Sequence, residues 1–146
     1  MHAALTPAEV SIVIPCFNAA ATLVRALNSC LAQPEAAQII VVDDGSEDTS
    51  LDIARSIALT DARVQLLQTP ANGGAARARN LGAQYAAHPL LAFLDADDEY
   101  CPAPLLERSA RFGWRRNNTS CGSTWHSWDI RPTSSGSPGS RTMPRS

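Results

Sequence analysis

Gln38-Ile39-Ile40-Val41-Val42-Asp43-Asp44-Gly45-Ser46 decides the fold. Ile39 to Val42 are all β-branched, with no polar alternation, so this is a strand buried on both faces. It stops at two adjacent acids and a glycine. Upstream, Val10-Ser11-Ile12-Val13-Ile14-Pro15 repeats the pattern and is stopped by proline. Between the two, Leu23, Ala26, Leu27, Cys30 and Leu31 share one face of a 3.6-residue period, which predicts a helix over Ala19 to Ala32 with Pro34 just beyond it. Downstream, a helix through Leu51, Ile53, Ala54 and Ile57, capped by Asp48 or Ser46, leads to a third strand at Val64-Gln65-Leu66-Leu67. The turn Pro70-Ala71-Asn72-Gly73-Gly74 then opens an alanine-rich helix from Ala75 to Ala87. A fourth strand follows at Leu90 to Leu94, and a last helix is expected near Pro102, with Leu105 and Leu106.

Strictly alternating strands and helices, with strands apolar on both faces, predict an α/β fold: a parallel sheet covered by helices on each side. Right-handed crossovers make a doubly wound, Rossmann-like sheet the default. Ligands of such sheets bind beyond the carboxyl ends of the strands. The polar clusters fall at those ends: Cys16-Phe17-Asn18 after the first strand, Asp43-Asp44 after the second, and Asp95-Ala96-Asp97-Asp98 after the fourth.

The acids of Asp95-Ala96-Asp97 with Asp98 would repel one another at a strand end unless a cation neutralised them. Mg²⁺ or Mn²⁺ takes carboxylate oxygens and keeps positions open for phosphate. Solvated loop acids are the plain alternative for an isolated D-x-D, but the position after a buried strand favours metal. Asp43-Asp44 could cap the next helix, or accept a hydrogen bond from a nucleobase N–H or ribose hydroxyl. Asn72-Gly73-Gly74 starts a helix whose first turns carry Arg77 and Arg79. They could face a diphosphate or simply line a solvated face. Phe17 could lie against a base, and Asn18 could cap the first helix. Cys16 has no His or second acid close in sequence and is not read as a nucleophile. His2, His88 and His126 are scattered and are not read as ligands.

The chain has 146 residues and a net charge of -2, enough for one core and no reason to expect nucleic acid as a partner. The four cysteines show no zinc spacing. Met1 to Val10 lack a signal-peptide pattern, and no apolar stretch approaches the roughly 18 residues of a bilayer span. A cytoplasmic setting is expected, and the sequons at Asn117 and Asn118 then carry no weight. Charge divides sharply: Met1 to Glu107 hold 13 acids and 5 arginines, whereas Arg108 to Ser146 hold 7 arginines and the single acid Asp129. After Leu106 the only aliphatic branched residue is Ile130, and Pro132 to Ser140 is low complexity. Residues 109–146 are therefore expected to be a disordered tail, with residues 9–108 as the folding unit. The tail, which holds Trp114, Trp125 and Trp128, could be an Arg/Trp arm for a partner. Out-of-frame translation or the end of a gene fragment is the alternative, and the abrupt change of composition favours it.

Val13-Ile14-Pro15-Cys16-Phe17-Asn18, Ile40-Val41-Val42-Asp43-Asp44-Gly45-Ser46, Asn72 to Asn80 and Phe93-Leu94-Asp95-Ala96-Asp97-Asp98 resemble, in order and spacing, the successive motifs of family-2 glycosyltransferases. The resemblance implies a GT-A fold, incomplete here, and a nucleotide-diphosphate-sugar donor, most often a UDP-sugar. It implies that Pro15, Phe17, Asn18 and Asp43 or Asp44 cradle the nucleoside, and that Arg77 lies near the donor. Asp95-Ala96-Asp97 would be the D-x-D motif, with Asp97, and Asp95 beside it, as ligands of Mn²⁺ or Mg²⁺. The implied reaction is transfer to an acceptor hydroxyl of a glycan, lipid or protein with inversion, possible at the inner face of a membrane through the acceptor. The family's catalytic base lies downstream, where nothing after Arg108 matches and Asp129 lacks a strand-helix context. A second reading is a catalytically inactive nucleotide-sugar-binding remnant. A nucleotidyltransferase is disfavoured because Pro15-Cys16-Phe17-Asn18 lacks a glycine-rich basic loop.

Overall fold

A computed structural model describes residues 9–102 together with residues 131–132. The elements are β1 (Val10–Cys16), α1 (Leu23–Leu31), β2 (Ala36–Asp43), α2 (Ser50–Thr60), β3 (Val64–Gln68), α3 (Ala75–Tyr85), β4 (Leu90–Phe93) and β5 (Arg131–Pro132). They build a five-stranded sheet of order β3-β2-β1-β4-β5. The pairs β1–β2, β1–β4 and β2–β3 are parallel, and only β5 runs antiparallel, along β4.

The uninterrupted apolar strands are buried on both faces. Ile12, Ile14, Ile39 and Val41 pack against Leu23, Ala26, Leu27 and Cys30 of α1 and Ala54 of α2. Val13, Ile40, Val42 and Leu91 point the other way, onto Ala78 of α3 with Leu81 beside it. Alternate residues of one strand thus serve opposite helix layers, as a doubly wound sheet requires. Gly82 lets α3 lie close on the sheet: a Cβ there would overlap Val13 Cγ1 and stand 3.1 Å from Val42 Cγ2. Gly82→Ala is expected to lower stability by about 1–3 kcal/mol despite the better helix propensity of alanine, because the overlap is with a fully buried strand residue. Denaturant melts of the two proteins check this.

The helices are shorter than the periodicity predicts, for local reasons. The helix expected from Ala19 begins at Leu23, after a turn in which the Thr22 and Leu23 N–H groups bond the Ala19 carbonyl and the Ala19 and Ala20 N–H groups donate to Ser50 Oγ (2.8 Å) and Asp48 Oδ2 (3.1 Å). The helix expected to reach Ala87 ends at Tyr85. There the Ala87 N–H donates to Gln38 Oε1 (2.9 Å) and the His88 N–H to Ser11 Oγ (3.2 Å). Buried side chains outcompete the last helical turn. β5 lies within the stretch expected to be tail, as a two-residue antiparallel edge carrying a proline, which an edge strand tolerates. The helix expected near Pro102, with Leu105 and Leu106, and Asp129 and the three tryptophans lie outside the described residues.

Candidate functional site

The strand order reverses between β1 and β4, so the crevice above their carboxyl ends is the topological switch point of the sheet. The loops after β1 and β2 are laced together there. The Asp44 N–H donates to the Cys16 carbonyl at 2.8 Å. Asn18 adopts a left-handed backbone (φ 48°). Its N–H donates to Ser46 Oγ (3.0 Å), and its Oδ1 accepts from the Glu47 N–H (2.8 Å). Asn18 therefore ties two loops; the cap position of α1 belongs to Thr22, which makes no side-chain cap bond. Asp48 accepts from the Ser50 N–H (2.9 Å) at the start of α2, whose cap position is Thr49. Pro15 is buried inside β1 opposite Val42, whereas Phe17 is 47% exposed beyond the strand end.

The paired acids after β2 are both buried and do different things. Asp43 Oδ2 accepts from the Ser46 N–H at 3.3 Å, while its Oδ1 is buried with no hydrogen-bond partner among the described residues. Asp44 reaches across to the turn before α3. Oδ1 accepts from the Thr69 hydroxyl (2.7 Å) and the Gly73 N–H (3.0 Å), and Oδ2 accepts from the Gly74 N–H (2.8 Å). Burial raises the carboxyl pKa, but the Thr69 hydroxyl, the Gly73 and Gly74 amides and the Arg77 charge outweigh it, and the net shift is downward. The Gly73 N–H also reaches Oδ2 (3.1 Å), so the roughly four acceptor positions of this carboxylate are all taken within the chain. Gly74 (φ +91°) supplies the left-handed bend that aims both amides at Asp44. A Cβ at Gly73 would collide with Arg77 Cδ, so the Arg77 stem packs under the turn.

Asp95, Asp97 and Asp98 bring carboxylate oxygens to within 4.8 Å of one another just past β4. The Asp98 N–H donates to the Asp95 carbonyl (3.0 Å), closing a tight turn over the buried Ala96. Arg79 donates to Asp95 Oδ1 at 2.5 Å, answering one of these charges. Asp97 is exposed, and Asp95 and Asp98 are partly buried. Three hard oxygen donors this close together fit a Mg²⁺- or Mn²⁺-sized ion.

The structure thus places Phe17, Asn18, Asp44, Asp95, Ala96 and Asp97 on the loops that follow β1, β2 and β4, with Asp43 as the last residue of β2 and Arg77 in the first turn of α3. Reasoning from sequence offered both Arg77 and Arg79 to a diphosphate and carried only Arg77 forward as a donor-site residue; in the structure Arg79 is spent on Asp95. That reasoning missed Thr69, whose only signal is a hydroxyl just after a strand. Cys16 lies at this end of β1 but is buried, and burial raises its thiol pKa. Iodoacetamide is expected to spare Cys16 and Cys30 in the folded chain and to modify both after denaturation, read by mass spectrometry.

The family model described as "Glycosyl transferase family 2" matches residues 11–134. The chain is 40% identical over 111 residues to the succinoglycan biosynthesis protein ExoU of Rhizobium meliloti, covering 76% of this chain and 32% of that protein. It is similar to the crystal structure of S. aureus TarS residues 1–349 in complex with UDP-GlcNAc: TM-score 0.62, 27% identity, covering 71% of this chain and 30% of that one. It is also similar to GalNAc-T7 solved with UDP, GalNAc and Mn²⁺, with a TM-score of 0.54, 28% identity and coverage of 60% of this chain and 17% of that one. The chain spans about a third of the length of such curated relatives as ExoU. No helix among the described residues is long and apolar enough to cross a membrane.

Proposed function

The chain belongs to glycosyl transferase family 2 and has an α/β sheet of the GT-A type, and from that premise we propose that it binds a UDP-sugar over the carboxyl ends of β1, β2 and β4 for inverting transfer to an acceptor hydroxyl. The observation that carries this reading is the convergence, at the switch point, of a buried acid pair and the Asp95-Asp97-Asp98 carboxylates. The solved complexes of TarS with UDP-GlcNAc and of GalNAc-T7 with UDP and Mn²⁺ support the choice of nucleotide and metal.

Pro15 is the penultimate residue of β1, and beyond the strand end at Cys16 Phe17 is exposed as a face for the base. Asn18 holds the loop that frames it. Asp43 Oδ1, buried and without a partner among the described residues, offers the acceptor for a base N–H or ribose hydroxyl, while Asp44 beside it holds the turn before α3 in place. Asp95 and Ala96 line the donor, and Asp97 with Asp95 would hold Mn²⁺ or Mg²⁺. Arg77 and Arg79, on the first turns of α3, add positive charge on the diphosphate side. A bound divalent ion would offset the charge that builds on the leaving diphosphate. The base for the acceptor hydroxyl, and the acceptor itself (glycan, lipid or protein), are not assigned to described residues. Free, buried thiols at Cys16 and Cys30 fit a reducing, cytoplasmic setting.

Calorimetric titration of UDP into the folded chain, with and without Mn²⁺, tests the proposal. Binding that strengthens with Mn²⁺ is expected; a folded chain that ignores UDP under both conditions overturns the donor assignment. Incubation with a UDP-sugar and measurement of released UDP adds a second discrimination. Binding without release beyond the buffer rate would make this chain a donor-binding module without transfer of its own.

A further inference from the structure

Arg25, Ser29 and Gln33 lie four residues apart along α1 and its exit, and all three bond to the segment that follows the acidic turn. The Arg25 guanidinium donates to the Asp97 carbonyl (3.4 Å) and stands 3.7 Å from the Glu99 carboxylate. Ser29 Oγ donates to the Ala26 carbonyl (2.7 Å) and accepts from the Tyr100 N–H (2.9 Å). Gln33 Nε2 donates to the Cys101 carbonyl (3.2 Å). From the sheet side, the Tyr100 hydroxyl donates to the Phe93 carbonyl, the last residue of β4, at 3.3 Å. Tyr100 and Gln33 are buried; the Arg25 contacts are exposed. Helix stripes of this spacing usually carry apolar residues that face a core. This one is polar and is spent on four residues of an irregular segment, Asp97, Glu99, Tyr100 and Cys101.

We propose that this stripe is a positioning device for the metal-binding turn: α1 sets the backbone of residues 97–101 and thereby the aim of the Asp97 and Asp98 carboxylates. The proposal rests on the reading of Asp95, Asp97 and Asp98 as a divalent-ion site. Within the turn the Asp98 N–H bonds the Asp95 carbonyl, and Arg79 holds the Asp95 side chain. Its exit is fixed by bonds to α1, which is itself locked to the sheet by Leu23, Ala26, Leu27 and Cys30. Ser29 and Gln33 carry most of the effect because their bonds are shielded, whereas the exposed Arg25 contacts are screened by solvent. Residues one step removed from a metal commonly tune its affinity by this route.

The test is Mn²⁺ binding by the full chain, measured by electron paramagnetic resonance without nucleotide, alongside thermal melts without metal. Ser29→Ala and Gln33→Leu are each expected to weaken Mn²⁺ affinity by about tenfold, Ser29→Thr to restore it, and Arg25→Ala to cost less. Val64→Ala is the control: it trims the core at β3, at the end of the sheet away from β4, lowers the melting temperature and leaves Mn²⁺ affinity unchanged. If Ser29→Ala and Gln33→Leu shift only the melts, as Val64→Ala does, the positioning role is overturned while the metal site stands. If the wild-type chain binds no Mn²⁺, the metal reading fails and the tether falls with it. Should the Ser29 or the Gln33 variant fail to fold, Arg25→Ala, which alters only exposed contacts, still decides: an affinity equal to wild type counts against the device.

Discussion

Asp97→Ala is expected to abolish the Mn²⁺-dependent part of UDP binding while leaving the metal-free melting temperature where it was. Asp97 is the exposed member of the acidic turn, so its carboxylate contributes little to folding. Its oxygens nevertheless lie within 4.8 Å of those of Asp95 and Asp98, where they serve a cation or nothing. Loss of an outer-shell partner typically costs a metal site 10–100-fold, so loss of a direct ligand should cost at least about 100-fold in Mn²⁺ affinity. Asp97→Asn keeps the shape, removes the charge, and should behave almost as badly. Asp95→Ala is a poorer probe, since it also strips Arg79 of its partner. Calorimetry with and without Mn²⁺ reads the result. An unchanged Mn²⁺ dependence in Asp97→Ala would falsify the assignment of this residue as a ligand.

The sheet could be read from the sequence because its strands carry the strongest local signal available. Ile39 to Val42 are apolar on both faces, and only a strand between two helix layers buries both. The placement of the acids was legible for the same reason: each cluster follows a strand directly, and parallel strands bring their carboxyl ends to one edge. What the sequence could not show is which partner each acid takes. Asp43 and Asp44 are adjacent and chemically identical. One nonetheless keeps an oxygen without a partner among the described residues, while the other is committed to Thr69, Gly73 and Gly74, 25 to 30 residues away. Arg77 and Arg79 differ by two positions on one helix, and helical rotation alone decides that Arg79 meets Asp95. A two-residue strand such as Arg131–Pro132 has no periodicity to detect, so composition assigned it to tail. The polar stripe on α1 was hidden because Arg25, Ser29 and Gln33 look like an ordinary solvated face until the chain returns to cover them.

Asp44→Ala is expected to cost more stability than any other single change in the site, about 3 kcal/mol, from the loss of three bonds to a buried charged acceptor. At roughly 4–8 °C per kcal/mol for a domain of this size, the melting temperature should fall by ~12 °C or more. Asp44→Asn should recover little, because its amide NH₂ would face N–H donors that need an acceptor. The pH dependence has a definite sign. The folded pKa of Asp44 lies below its ordinary value: burial pushes it up, but the Thr69, Gly73 and Gly74 bonds and the Arg77 charge more than offset that. The unfolded chain, titrating near pH 3.9, therefore takes up the proton first as the solution is acidified. The stabilisation is complete above the unfolded pKa and is lost progressively as pH falls below about 4 toward the folded pKa. Wild-type stability should decline in that window with a steeper slope than that of Asp44→Asn. Because the same carboxylate fixes Gly73 and Gly74, and with them the start of α3, the turn that carries Arg77 and Arg79 toward the donor should loosen with it. UDP affinity is thus expected to fall even at temperatures where the variant is still folded. A variant that melts within about 1 °C of wild type would mean that solvent replaces the three bonds at no cost, and that Asp44 is not the latch between β2 and α3.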